Sequence, residues 1–301
     1  MSGGGCGRYL AEAEMVDILA PAKLNLTLEV VAKRGDGFHE ISSLIQTIDL
    51  CDCLRFQLGQ GITISCDQPQ WLPKKSLVSK AASLLQKTAK YPKGATIAIN
   101  KHIPLLSGLG GDSSDAAATL RGLNKLWNLR LSLLQLLELA PSLGSDVAFF
   151  LYRGTALVRG RGEIVTPLPP LSPMWAVLLI PPVPRMPDKT KRLYVSLKAS
   201  HYTNGQITDN LVSRLKRGRG ITTSLFNVFD SVGDDSFTGL GEYRRQFLKA
   251  GAQWVHLAGS GPTLFTLTED KTKAERVYQN LKPAGLECYL AETVTALDKV
   301  G

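Results

Sequence analysis

Near the start of the chain the apolar residues fall at every second position, with Leu24, Leu26, Leu28 and Val30 alternating with Lys23, Asn25, Thr27 and Glu29. A period of two marks a strand with one face against a core. With Ile18-Leu19-Ala20 before it, this stretch predicts strands between Asp17 and Leu58, their polar face left available. The glycines of Arg34-Gly35-Asp36-Gly37-Phe38-His39 predict a tight reversal that leaves an aromatic ring and an imidazole just past the turn. Ile41 to Leu50 fits strand or helix equally by periodicity.

The rhythm then changes. Leu77, Ala81, Leu84, Leu85 and Thr88 recur at helical spacing between Ser76 and Lys90, and Thr96 to Ile99 reads as a strand. A further helix runs from the Ala116 region to about Leu126, and another starts at Ser132, a good N-cap, and stops near Pro141. Strands are predicted at Thr155 to Val158 and Trp175 to Ile180, and helices around Leu211 and Leu215 and around Leu225, Phe226, Val228 and Phe229. Near the end, Gln253 to Ala258 reads as a strand, Gly259 to Pro262 as a turn and Thr263 to Leu267 as a returning strand. The proline-rich stretch from Pro167 to Pro187 marks the expected boundary between two halves, 1–166 and 167–301.

Composition narrows the class. The 301 residues are 44% hydrophobic and 20% charged, ordinary globular values that exclude a fibre or a disordered chain. The longest apolar run, Met174 to Ile180, is far short of a membrane span, so no membrane is expected. Lys and Arg outnumber Asp and Glu by 35 to 26, giving +9, which calls for an anionic partner or a solvated basic surface. The basic residues are scattered, only Leu215 to Arg219 approaches a cluster, and no nucleic-acid-binding motif accompanies it. A solvated surface is therefore expected ahead of a nucleic-acid patch, with an anionic small molecule such as a nucleotide as a third reading. The cysteines show no CxxC spacing and suggest neither a disulfide framework nor a zinc site. The glycine-rich start with Glu12, Glu14 and Asp17 against Arg8 resembles no leader, so a cytoplasmic location is expected.

The chemistry lies in Pro104-Leu105-Leu106-Ser107-Gly108-Leu109-Gly110-Gly111-Asp112-Ser113-Ser114-Asp115, which runs into an alanine-rich helix. Glycines let the main chain approach an anion, and a helix start offers unpaired N–H groups and partial positive charge. Gly108, Gly110 and Gly111 meet the first need; Ser113 and Ser114 can cap the helix and touch a phosphate oxygen or a metal ion. The loop is neither a Walker P-loop nor a GxGxxG fingerprint, and protein-kinase HRD and DFG elements are missing.

Pro104 to Ala117 resembles the second motif of the galactokinase, homoserine kinase, mevalonate kinase and phosphomevalonate kinase (GHMP) superfamily, whose ATP phosphates lie on such a loop. Five further stretches resemble, in order, the 4-diphosphocytidyl-2-C-methyl-D-erythritol kinase family. They are Pro21 to Leu26, Arg34 to His39, Leu143 to Val147, Gly154 to Ala156 with Gly160 to Glu163, and Leu257 to Pro262. The resemblance implies an α+β, two-domain small-molecule kinase fold of the GHMP type with its active site in the interdomain cleft. It also implies ATP and Mg²⁺, and phosphorylation of the 2-hydroxyl of a cytidine diphosphate sugar alcohol in the non-mevalonate isoprenoid pathway. Another small-alcohol kinase of the superfamily, or a non-catalytic nucleotide- or nucleic-acid-binding protein, stands as the alternative.

By the same resemblance Asp146 is the base and Lys23 its partner, although alone Asp146 reads as a helix N-cap and Lys23 as a solvated strand residue. ATP falls to Lys101, Pro104, Leu106, Ser107, Gly108, Leu109, Gly110, Gly111, Ser113 and Ser114. The substrate falls to Asn25, Phe38, His39, Thr190 and Tyr194, the last two on one face if their segment is helical. No carboxylate cage for a metal is legible, and the metal ligands and oligomeric state stay open. Two positions depart from the family: Ser76 stands where an asparagine is common, and Asp112 where a third consecutive glycine is usual. A carboxylate there repels phosphate unless it points outward or meets a metal ion.

Overall fold

The computed structural model describes residues 15–184, 188–221 and 224–294; Cys6, the glycine-rich start and the end of the proline-rich stretch lie outside them. In chain order the first half contributes β1 (Met15–Asn25), β2 (Thr27–Lys33), β3 (His39–Gly59), β4 (Thr63–Cys66), α1 (Leu77–Ala89), β5 (Gly94–Asn100), α2 (Gly111–Leu126), α3 (Leu133–Leu139), α4 (Val147–Tyr152), β6 (Thr155–Gly160) and β7 (Ile164–Pro167). The second half adds β8 (Trp175–Ile180), α5 (Lys189–Ser196), α6 (Gln206–Lys216), β9 (Phe226–Asn227), α7 (Asp230–Ser236), α8 (Leu240–Lys249), β10 (His256–Leu257), β11 (Leu264–Thr268), α9 (Lys271–Leu281) and β12 (Glu287–Glu292). None of the described helices is long and apolar enough to cross a membrane.

The ambiguous stretch at Ile41 to Leu50 belongs to β3, a 21-residue strand that pairs antiparallel with β1, β2, β5 and β6 and so acts as the spine of the first sheet. β4 and β7 extend that sheet, and β9 joins it in parallel with β2 from far along the chain. The second sheet runs β10-β11-β8-β12, all antiparallel. Ser76 caps α1, accepting from Ser79 N at 3.1 Å, and Ser132 closes a capping box with Gln135 at the start of α3.

Two expectations about elements fail. Leu225 to Phe229 forms no helix, because Phe226 and Asn227 pair with Thr27 and Leu28 and the chain then turns into α7. The strand expected over Gln253 to Ala258 shortens to His256 and Leu257, since only these find a partner strand.

The polar face of the first strand is not left open either. Lys23, Asn25, Thr27 and Glu29 are all buried: Gly110 packs beside Lys23, Ser43 of β3 meets Asn25, and Thr208 of α6 covers Thr27 and Glu29, while the apolar face fills the seam to the second half. Leu24, Leu26, Leu44 and Ile48 meet Met174, Ala176, Leu178 and Phe265 in that seam. Burial forces each polar group to find a partner. Glu29 accepts from Thr208 N at 2.7 Å at the start of α6, whose N-cap is a glycine with no side chain to offer, and Thr27 Oγ1 accepts from Thr208 Oγ1 at 2.8 Å.

Candidate active site

A cavity of about 950 Å³ receives residues from both halves. Lys23 and Asn25 reach it from the end of β1, Phe38 and His39 from the β2–β3 reversal, and Asp146 from the approach to α4. Thr190 and Tyr194 do lie on one face of a helix, α5, and line the opposite wall with Gly259 and Ser260.

The glycine loop is glycine for steric reasons. Gly108 has φ +92°, and a Cβ there would stand 2.1 Å from the Ala258 carbonyl oxygen; Gly110 has φ +80°, and its Cβ would stand 2.7 Å from the Phe150 ring. Both a left-handed backbone and a close approach exclude a side chain. Lys23 N donates to Leu109 O at 2.9 Å and Thr263 N to Ser107 O at 3.2 Å, so the loop is tied to each half. α2 begins at Gly111 behind the N-cap Gly110, with its first amides at the cavity wall. Ser113 and Ser114 therefore do not cap it; they are its third and fourth residues. Ser113 faces the cavity with Pro104, Leu106, Ser107, Gly108, Gly110 and Gly111, whereas Leu109 and Ser114 are buried behind it.

Lys101 also borders the cavity, but its Nζ donates to Asp52 Oδ2 at 2.5 Å and to Asp115 Oδ2 at 2.7 Å. Burial works against its charge, yet the two carboxylates outweigh that and hold its pKa above the usual lysine value. Asp115, buried in turn, has a pKa raised well above the carboxylate range despite Lys101. Its Oδ1 accepts nothing from the described residues.

Lys23 Nζ lies 3.7 Å from Asp146 Oδ2 and donates to Asn25 Oδ1 at 2.6 Å. Asn25 Nδ2 donates to Ser43 Oγ at 2.8 Å, which donates to Thr27 O at 2.5 Å. This chain fixes the ammonium, which is only 5% exposed and hence no solvated strand residue. Burial pushes the Lys23 pKa down, and the Asp146 carboxylate opposes that. Asp146 makes no capping hydrogen bond to α4, so its carboxylate is left to the cavity.

At the far end the His39 ring stacks on Tyr194 with centroids 4.6 Å apart and planes 15° apart, and His39 Nε2 lies 3.2 Å from the Tyr202 hydroxyl. Burial, with Lys33 nearby, lowers the His39 pKa, so at neutral pH the imidazole is neutral and offers one donor and one acceptor. Burial, with Asp146 adding to it, raises that of the Tyr194 hydroxyl. Phe38 is exposed, with the Arg161 guanidinium 4.9 Å from its ring centre.

A family model for the GHMP kinases N terminal domain matches residues 76–154, and one for GHMP kinases C terminal matches residues 213–287. A 4-diphosphocytidyl-2-C-methyl-D-erythritol kinase of Dehalococcoides mccartyi is 50% identical over 284 residues, covering 94% of this chain and all of the relative. The chain belongs to the 4-diphosphocytidyl-2-C-methyl-D-erythritol kinase family. Another member, from Geobacillus thermodenitrificans, is 40% identical over 89% of this chain and 93% of its own length. A crystal structure of 4-(cytidine 5'-diphospho)-2C-methyl-D-erythritol kinase superposes on this family member with a TM-score of 0.80 at 32% identity, covering 93% of this chain and 100% of that one. A mevalonate kinase from L. major, at 16% identity and a TM-score of 0.69, covers 95% of this chain and 98% of its own, and shares the fold. The fold is thus the expected α+β GHMP kinase fold.

Several residues lining the kinase's cavity escaped sequence reasoning. Arg161 and Ser260 sit inside glycine-flanked motifs that were visible, and Thr190 Oγ1 lies 2.8 Å from Ser260 Oγ. Lys189 donates to Gly261 O, holding α5 to the same loop. Tyr202 carried no signal, since only the fold brings it to His39.

Proposed function

We propose that this kinase transfers the terminal phosphoryl group of ATP to the 2-hydroxyl of 4-diphosphocytidyl-2-C-methyl-D-erythritol, giving ADP and the 2-phosphate in the non-mevalonate route to isoprenoid precursors. The observation that carries the reading is the Lys23–Asp146 pair, 3.7 Å apart, facing the same cavity as the glycine loop. Phosphoryl transfer asks chiefly for positioning and charge stabilisation. Asp146 accepts or orients the proton of the substrate hydroxyl, and Lys23 stabilises negative charge on the attacking oxygen. The amides of the loop and of the start of α2 hold the phosphates. Asn25 fixes Lys23 and presents its amide to the methylerythritol part; Phe38, His39, Thr190 and Tyr194 form the cytidine end. Lys101 borders the ATP end of the cavity, with its ammonium already paired to Asp52 and Asp115. The division at 166/167 is proposed with it: it falls one residue before the end of β7, the last strand of the first sheet before β8 opens the second.

No three metal-ligand side chains converge among the described residues. The hard hydroxyl of Ser113 at the cavity wall fits Mg²⁺ carried in on ATP, which needs few protein oxygens. When bound, the ion neutralises charge along the phosphates.

A coupled assay with ATP, Mg²⁺ and the cytidylated methylerythritol tests the reading. ADP release that needs this alcohol is expected; release with other small alcohols only, or none with tight oligonucleotide binding, would overturn it. Two variants refine the test. Phe38→Ala should raise KM for the cytidylated substrate about tenfold, the order of one lost aromatic stack, and leave KM for ATP in place. Asp112 is exposed at the cavity wall in the first turn of α2, so Asp112→Gly should tighten ATP binding by about threefold to tenfold through lost like-charge repulsion. Titration calorimetry with a non-hydrolysable ATP analogue reads the difference.

A further inference from the structure

A second cavity, of about 440 Å³, lies on the far side of α5, away from the substrate pocket. Lys189, Thr190, Lys191 and Tyr194 of that helix face the active site, while Arg192 and Ser196 face this one. Lys198 and His201 enter it from the turn after α5. Arg192 and Lys198 make no ion pair among the described residues, and both are exposed. The backbone amide of Lys198 donates to His201 Nδ1 at 3.0 Å, which makes Nε2 the protonated, donating nitrogen of the ring. The α5 side of the cavity and the turn after it therefore contribute three donors and no carboxylate to its lining.

The opposite wall, from α7, has the reverse character. The Ser231 hydroxyl donates to Val228 O at 2.6 Å and that of Ser236 to Val232 O at 2.7 Å, while on α5 Ser196 donates to Arg192 O at 3.1 Å. With their protons committed to backbone carbonyls, these three oxygens can only accept. Asp235 adds a carboxylate to the same cavity, a further acceptor.

From this split we infer that the cavity is a second small-molecule site for a phosphorylated polyol or sugar. The phosphate meets Arg192, Lys198 and His201, and the ligand's hydroxyls donate to Ser231, Ser236 and Asp235. A plain anion leaves the acceptor wall unused and meets Asp235 as a like charge; a neutral polyol leaves the cations unused. The site stands apart from the kinase reaction and does not depend on the substrate assigned above.

Calorimetric titration with ribose 5-phosphate, inorganic phosphate and ribose, on protein whose active site is saturated with a non-hydrolysable ATP analogue, tests the inference. Ribose 5-phosphate should bind with Kd below about 1 mM and both fragments at least about tenfold more weakly. R192Q/K198Q should lose that binding by at least about tenfold while keeping ADP release within about twofold, and S231A/S236A should lose it without touching any cation. No binding by the wild type, equal binding of inorganic phosphate, or undiminished binding by R192Q/K198Q would overturn the site.

Discussion

Replacing Asp146 by asparagine should lower kcat by about 10³-fold and leave KM for ATP within about twofold, because the carboxylate acts on the hydroxyl proton and not on the nucleotide. Steady-state kinetics with both substrates varied checks this, and a loss confined to KM would remove Asp146 from the chemistry. The pH profile gives a second reading. Burial makes Lys23 release its proton at lower pH than a free lysine, so kcat should turn down on the alkaline side before the ordinary lysine range. Asp146 opposes that shift, so the downturn should move to still lower pH in D146N. A profile identical to wild type would mean that the ammonium charge is not used.

The largest effect on stability is expected from Lys101→Met, which leaves Asp52 and Asp115 buried without a cation and should cost about 3–5 kcal/mol, read by urea denaturation. The two carboxylates are not equally harmed. Asp52 Oδ1 still accepts from His102 N at 2.6 Å and Ile103 N at 2.8 Å, whereas Asp115 loses the one cation it faces and already has an unpartnered oxygen. Asp115→Asn in the K101M background should therefore restore part of the loss. The pH sign follows from the raised Asp115 pKa. A carboxyl that holds its proton more firmly folded than unfolded gains stability as pH falls through its folded pKa. The deficit of K101M should shrink on acidification as Asp115 takes up its proton; a deficit that grows would contradict it.

Part of the candidate site could be read before the fold was known, where its residues lie in the glycine-rich stretch from Ser107 to Ser114. Gly108 and Gly110 announce the loop because no other residue fits there. Lys23 and Asn25 were legible as one polar strand face, but not as a buried one. Burial of that face depends on groups far along the chain, Gly110 beside Lys23 and Thr208 at Glu29, which no local period encodes. The same limit explains β9: Leu225, Phe226, Val228 and Phe229 suggest a helix, and Phe226 and Asn227 become a strand only because Thr27 and Leu28 lie beside them. The inert surroundings of Lys101 were hidden for a related reason, since Asp52 lies 49 positions away on β3. Likewise, serines just before an alanine run suggest a cap, but Gly110 takes the cap position and shifts Ser113 and Ser114 into the helix.

The backbone contact between Gly108 and the Ala258 carbonyl has a mechanical corollary. Each strand of that junction comes from a different half, and there is no slack for a methyl group between them. Parting the halves would pull on the glycine loop proposed to hold the phosphates, so opening of the cleft and loss of the nucleotide are expected to go together.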